Sequence, residues 1–384
     1  MKQIIKVSSI TLFILMYTSG VKAQEQSGNF LKAGVSDGTK LINAYFAPSL
    51  KGFGQGINDG WYNTAKPLGL WGFDLRFNLG IGLVDKVDQS YNINNLGLNT
   101  DRSKPYLVLA PGVDPKRPSL YGIKEANPPK AYVRSNVGGV DTLISEFTMP
   151  NGIGSTYTPS LPMLQLSLGI IKNTQLTIRY FPKTLFPDYY KVRLFGIGVK
   201  HDLIQWIPRY NDVLLNSKRP FDCSVFIGYT NFGAELTKSL LQVDPTAYNP
   251  DPGFNYSNQS INFTGAAFTS GIIVSKDFSP FKNIGVDPYI GVNYAWSKVH
   301  LKFEGDFPIT SPNKNNEGGN NVTIIEKVSN PVNLETTMSN VRMNAGLRMK
   351  LYMVTISAEY SIGKVNTVTV GLGINFQSLK PYKM

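Results

Sequence analysis

The sequence predicts an all-β fold: an antiparallel transmembrane β-barrel of about 10–14 strands, within the size range of such barrels, preceded by an N-terminal helical, plug-like segment. Three observations predict it. Residues 71–83 read Trp71-Gly-Phe73-Asp74-Leu75-Arg76-Phe77-Asn78-Leu79-Gly80-Ile81-Gly82-Leu83, with a large apolar side chain at every odd position and glycine, a polar or a charged residue at every even one. Successive side chains of a strand point to opposite faces, so this segment has one apolar and one polar face. It is longer than the about 5–6 residues usual in soluble strands and suits the roughly 9–11 that a tilted strand needs to cross a bilayer. The same period recurs downstream, and the first residues have the build of an export signal.

That signal comprises Lys2 and Lys6, the apolar run from Ile10 to Tyr17, and the small-x-small site Val21-Lys22-Ala23, with Gln24 as the expected mature start. The chain is expected to divide into a signal peptide at 1–23, a helical plug-like segment at 24–69 and an outer-membrane barrel at 70–384. The apolar run is too short for a transmembrane helix, and no later stretch approaches the roughly 18 apolar residues one needs. Cys223 is the single cysteine, which excludes an intrachain disulfide and reads as a small lipid- or core-facing hydrophobe. Lys and Arg exceed Asp and Glu by 12. In an exported barrel this excess points to anionic lipid or anionic solutes rather than to nucleic acid.

From Ser36 to Asn58 the period changes. Leu41, Ile42, Tyr45, Phe46, Leu50, Phe53 and Ile57 recur mostly at spacings of three and four, the mark of a helix. Ser36 or Asp37 is the expected cap, and Pro48 is expected to break the helix into two pieces. The segment plugs the barrel, lies on the periplasmic membrane surface or packs under the barrel mouth.

Nine further segments then alternate with period two, around 164–170, 176–180, 190–200, 221–229, 263–275, 290–297, 341–349, 354–360 and 368–376. Val192, Leu194 and Phe226 are apolar exceptions on polar registers. If the first strand starts in the periplasm, the three longest connections (85–160, 231–262 and 304–339) are external, and Lys172-Asn173-Thr174 is a periplasmic turn, as barrels of this kind require. The connection 201–219 is long for a periplasmic turn, and His201–Tyr210 is expected to hold a short interfacial helix anchored by Trp206. The 85–160 segment has extended candidates at Tyr106–Ala110, Ala131–Arg134 and Leu143–Phe147, room for one or two extra hairpins. A water-soluble sandwich would alternate too, but with shorter strands and more even loops.

The polar faces carry Asp74, Arg76, Asn78, Gln165, Arg179, Asp222, Arg342, Asn344, Arg348 and Glu359. Arginine predominates. Two readings stand side by side: a lumen that favours anionic groups, and a narrow barrel filled by Arg–carboxylate networks. Enzyme signals are thin. His201 and His300 are the only histidines, and neither lies near a Gly-x-Ser-x-Gly elbow. The run Gly52-Phe-Gly54-Gln-Gly56 has neither the preceding strand nor the following Gly-Lys-Ser/Thr of a phosphate loop.

A more specific signal is Ala47-Pro48, then Lys51-Gly52-Phe53-Gly54-Gln55-Gly56-Ile57-Asn58, leading through Gly60-Trp61-Tyr62-Asn63-Thr64-Ala65-Lys66-Pro67 to Gly72-Phe73-Asp74. It resembles a family of uncharacterised exported proteins from Bacteroidetes-type bacteria, a domain of unknown function. The resemblance continues through Lys172-Asn173-Thr174, Arg179-Tyr180, Gly196-Ile197-Gly198, Lys200-His201-Asp202, Trp206-Ile207-Pro208 and Pro220-Phe221-Asp222. It implies an outer-membrane-like barrel and brings no substrate or catalytic residues. A helix ahead of a barrel is similar in layout to long-chain fatty-acid transporters, without shared motifs. Phe376 is followed by eight residues, so the aromatic ending of the last strand is not terminal.

The function expected is that of a non-enzymatic outer-membrane channel or transporter for a small hydrophobic or anionic ligand, with no cofactor or metal. Arg76, Arg179, Arg342 and Arg348 are the candidate lumen-lining residues, with Asp74 and Glu359 as counter-charges. The alternative is a structural barrel whose external loops, or whose Gly60–Pro67 turn, dock another envelope or secretion protein.

Overall fold

A computed structural model describes residues 28–186, 190–207, 220–237, 259–281, 284–312 and 322–376. The signal peptide expected at 1–23 and the residues after Phe376 lie outside the described residues. Ten long strands form the wall: β1 Phe73–Leu83, β2 Met163–Ile170, β3 Thr174–Phe186, β4 Tyr190–Asp202, β5 Asp222–Thr237, β6 Ser260–Ser275, β7 Ile284–Glu304, β8 Val332–Leu351, β9 Val354–Ile362 and β10 Thr367–Phe376. Each pairs antiparallel with its sequence neighbours, and β10 returns to β1, so the sheet closes without an edge. Phe73 pairs with Phe376 across that seam, and their rings stack at 4.6 Å.

The alternation read from the sequence sets the register. Outward positions of every wall strand carry exposed apolar side chains, among them Leu75, Leu166, Ile178, Ile197, Ile227, Ile272, Val292, Met343, Ile356 and Leu372. A belt of this extent around a closed wall is a surface for lipid, since water-soluble monomers rarely expose apolar patches beyond a few hundred Å². Cys223 is half-buried in this outward set. Inward positions are buried; through the lumen they are mostly polar or glycine, with Phe226, Ile273 and Tyr289 as apolar exceptions, and toward the upper strand ends they turn apolar.

The count resolves to ten wall strands among the described residues. The extended candidates within 85–160 do form strands, but outside the wall: Tyr106–Leu109, Lys130–Val137 and Val140–Thr148 make their own three-stranded sheet, and Ser90–Asn92 pairs with Lys116–Pro118. Within this segment Tyr157–Pro159 joins the wall, against Ile81–Leu83 at the top of β1. The turns between β2 and β3 and between β8 and β9 lie at the opposite end. Lys172 and Asn173 take positive φ (54° and 48°) between β2 and β3, and Tyr352 (φ 56°) does so between β8 and β9. The interfacial helix is one turn, Ile204–Trp206, with Trp206 exposed as expected; residues 208–210 lie outside the described residues.

Helix α1 spans Val35–Gly56, preceded by a 3-10 turn at Gly28–Ala33. Two expectations fail here. The N-cap residue is Gly34, not Ser36 or Asp37, and Pro48 lies inside an unbroken helix. Proline in a helix interior costs about 3 kcal/mol. Here the turns on both sides are held by burial of Tyr45, Phe46, Leu50 and Phe53, which outweighs it. Asp37, in the first turn, instead accepts from the backbone N–H of Asn99 at 2.8 Å.

The apolar core lies at the end of the long connections. Phe30, Leu41, Ile42, Tyr45 and Leu50 pack with Phe147, Met149 and Leu161 of the connections and with Phe232, Val299 and Phe303 from the upper strand ends. Val192 and Leu194, the exceptions on β4, belong to this core. Tyr45 donates to the Asn151 carbonyl at 2.7 Å, and burial pushes its phenol far above the usual range, so it stays a donor.

Leu372→Arg, in the middle of β10 on the apolar belt, is expected to cost roughly 2–4 kcal/mol in lipid. Thr337→Arg, above the belt, is expected to cost under about 1 kcal/mol; reversible urea unfolding in bilayers measures both.

Candidate functional site

The stretch between α1 and β1 passes down the inside of the barrel. Gly52 lies against Thr158 and Gly82, Gly56 against Ser160 and Gly80, and Gly60 against Asn78 and Thr369. Lower down, Ala65 meets Ser224 and Ser275, Leu68 meets Gln175, and Gly169 closes on Gly69. The chain thus descends the lumen from the end of the long connections to the end of the short turns, where β1 begins.

The repeated glycines of Gly52-Phe-Gly54-Gln-Gly56 have a steric role. A Cβ on Gly54 would sit 2.8 Å from Ser297 Oγ, and one on Gly82 would sit 2.9 Å from the Gly52 backbone. The last two turns of α1 therefore touch the wall backbone to backbone, which only glycine allows. Phe53, between them, packs on Phe232 and Phe263 at 4.8 and 4.6 Å between ring centroids.

Trp61 sits in a slot of the same kind. Cβ atoms on Gly198 and Gly228 would come within 2.8 and 2.7 Å of its ring, and Gly196 lies beside it. The Arg179 guanidinium covers the ring at 3.6 Å from its centroid. Phe226, the exception on the polar face of β5, is the neighbour of both Trp61 and Tyr62.

Wall side chains hold the segment mainly by its backbone. Arg179 donates to the carbonyls of Ile57 (3.0 Å) and Asp59, Asn78 to Gly60 (2.9 Å), Gln165 to Trp61 (3.0 Å), Lys200 to Thr64 (3.0 Å) and Lys66 (3.2 Å), and Ser224 to Ala65. Side-chain contacts add register. Arg342 binds the Asp59 carboxylate at 2.6 and 3.3 Å. The Tyr62 hydroxyl lies 2.9 Å from Asn293 Oδ1 and 3.1 Å from Asn344 Oδ1, and Asn344 donates to Glu359 at 2.8 Å.

All six predicted lumen residues are buried on the inner wall. They do not form one cluster. Arg179 and Arg342 clamp the segment. Arg348 pairs with Asp287 across β7 and β8, with its Nε 2.6 Å from the carboxylate. Asp74 lies 3.6 Å from Arg76 and accepts from Asn375 at 3.2 Å. The Nε and Nη1 of Arg76 have no hydrogen-bond partner, a state that internal water would relieve. Glu359 is bonded to Asn344 rather than to an arginine. The acids that do pair most closely, Asp59 and Asp287, fell outside the strands read from sequence. Lys200, also missed, lies one residue before His201 on the inward register of β4.

Of the Gly60–Pro67 stretch, Trp61 to Ala65 are buried inside the lumen, and Lys66 is exposed. Both histidines sit near the strand ends among polar and aromatic neighbours. His201 is held by Thr174 (2.8 Å) and Trp206 (2.9 Å), and His300 lies on the outer wall, 3.7 Å from Glu335. A cavity of about 540 Å³ opens at the short-turn end, lined by Lys66, Pro67, Leu68 and Gly69 together with Asp202, Asp222 and Asp277.

Gly82→Val is expected to lift α1 off the wall and to raise trypsin cleavage at Lys40 and Lys51 at least tenfold (a loss of roughly 1.4 kcal/mol or more of docking free energy), with the barrel still resistant; a digestion time course checks it. Asp59→Ala leaves Arg342 buried without its partner and is expected to cost about 3–5 kcal/mol. The double variant with Arg342→Leu should recover part of that loss in equilibrium unfolding.

The model of a family of unknown function, DUF6588, matches residues 1–376 of this chain. No curated protein matches it. Among solved structures, the outer-membrane transporter YddB from Escherichia coli is similar at 9% identity and a TM-score of 0.27, over 78% of this chain and 43% of that one, so this chain spans less than half of its length. The translocator domain of the autotransporter NalP from Neisseria meningitidis is similar at 8% identity and a TM-score of 0.28, over 86% and 93%. The toluene transporter TodX from P. putida is similar at 7% identity and a TM-score of 0.18, over 81% and 91%.

Proposed function

We propose that this chain, which belongs to DUF6588, a family of unknown function, is a non-enzymatic outer-membrane channel held closed by its own N-terminal segment. The observation that carries this reading is the seating of residues 57–66 in the lumen by hydrogen bonds from Asn78, Gln165, Arg179, Lys200 and Ser224 to their backbone. Polar contacts of this kind exchange with water at small net cost, about 0.5–1.5 kcal/mol each, whereas an apolar core opens only with exposure of its surface. With the segment displaced, the wall would present Arg76, Arg179, Arg342, Arg348 and Lys200 to solvent. The cationic lining supports a small, anionic solute; the apolar surface of the described lumen is the patch of Phe226, Ile273 and Tyr289 that Trp61, Tyr62 and Ala65 cover. The long connections face outward in this reading, because barrels of the outer membrane keep short turns in the periplasm.

The segment stays closed through Trp61 and Asp59, so these decide the test. Single-channel recordings in planar bilayers are expected to show rare openings for the full chain. Trp61→Ala and Asp59→Asn, which keep every lumen arginine, should raise the open fraction at least tenfold. The opened pore should favour chloride over potassium, and adding Arg179→Gln to Trp61→Ala should reduce that preference. A folded barrel without conductance in any of these forms would sink the channel reading and favour a structural role.

A further inference from the structure

The direction of the chain in the lumen has a topological consequence. Phe30 and Leu31 pack with Phe147 and Met149 of the first long connection, and the Thr39 hydroxyl donates to the Pro331 carbonyl (3.3 Å) at the start of β8, next to the third. Lys40 donates to Gly97 O and Asp37 accepts from Asn99, both also in the first long connection. Gly28, 3-10 turn and α1 therefore lie at the end opposite the start of β1. Between them, residues 57–67 bridge the lumen. They run from beside Gly80 near the top of β1 to the level of Gly169 at its foot, and so pass the length of that strand.

The lumen fits such a passage. A wall of about eight strands is filled by its own side chains; ten leave room for one extended chain beside them. Asn78, Gln165, Arg179, Lys200 and Ser224 are each at least nine-tenths buried, and all aim donors at main-chain carbonyls. A carbonyl is the one acceptor that every residue of every polypeptide supplies, so these donors fit a sliding chain of any sequence. The two features that read sequence are the Asp59–Arg342 pair and the glycine slot for Trp61. They fix the position at which this particular segment stops.

We propose that the lumen is a conduit for extended polypeptide that delivers the chain's own N-terminal segment to the outer face, where α1 folds against the long connections and Asp59 and Trp61 arrest the chain. The passenger of the lumen during assembly is thus a polypeptide, with residues 57–66 as its resident example, distinct from the small anion that the opened pore would pass. The proposal rests on the outward placement of the long connections.

The test uses single cysteines in the full chain with Cys223→Ala: Ser36→Cys at the start of α1, Val140→Cys in the first long connection and Tyr352→Cys in a short turn, all at exposed positions. A membrane-impermeant maleimide applied to intact cells is expected to label Ser36→Cys and Val140→Cys at least tenfold more than Tyr352→Cys, which should label only after the outer membrane is opened. Labelling of Val140→Cys without Ser36→Cys overturns the delivery of the N-terminal segment while leaving the orientation of the barrel intact. Labelling of Tyr352→Cys without Val140→Cys overturns the orientation and the proposal with it. The route is tested by inserting, between Ser27 and Gly28, either a flexible epitope or a small disulfide-closed domain. Surface display of the epitope with loss of display of the folded domain supports passage through the lumen. Equal display of both, or neither insert displayed on an assembled barrel, overturns it.

Discussion

A closed wall whose inner face is polar must find partners for that face, and the rest of this structure depends on how it does so. Each unsatisfied buried polar group costs on the order of 1–3 kcal/mol, and the inner wall carries Asn78, Gln165, Arg179, Lys200, Ser224 and Arg342, all buried. The wall cannot satisfy them by itself, because each strand's backbone is already spent on its neighbours. Residues 57–66 supply the missing acceptors. Their irregular conformation leaves their own carbonyls unpaired, and those carbonyls are what the wall donors need. Segment and wall are in this sense two halves of one hydrogen-bonded interior.

Glycine makes the fit possible at two levels. Near the mouth, Gly52 and Gly56 on α1 face Gly82 and Gly80 on β1, so a helix and a strand approach at backbone distance. Deeper, Gly196, Gly198 and Gly228 clear a flat floor for Trp61, and Arg179 closes it from above. The same residues account for the exceptions in the strand pattern. Phe226 is apolar on a polar face because it stands beside Trp61 and Tyr62. Val192 and Leu194 are apolar because, at their height, the barrel interior is no longer lumen but the floor of the apolar core at the end of the long connections.

The wall was largely legible in the sequence. All ten strands fall where the period of two placed them, and the three longest connections share one end as the parity of the strands demands. The site was legible only by halves. Arg76, Arg179, Arg342 and Arg348 face inward as the register requires, but their partners were not foreseen. Asp287 pairs with Arg348 through a strand that begins earlier than its apolar alternation does, and Asp59 belongs to no strand at all. The unusual composition from Gly52 to Pro67 was visible, yet composition alone did not distinguish a turn that docks partners from a segment buried in the lumen.

What the sequence determined by itself is therefore local: strand identity, the outward and inward faces, the helical period of 36–58 and the parity of the connections. These follow from side-chain alternation and spacing, which are properties of neighbouring residues. Only the tertiary structure decided that the helix runs unbroken through Pro48, that the extra hairpins stay out of the wall, and that residues 57–67 descend through the lumen. Each of these turns on contacts between residues far apart in the chain, such as Arg342 with Asp59 or Trp61 with Gly198 and Gly228. A one-dimensional period carries no information about which distant surface will meet it.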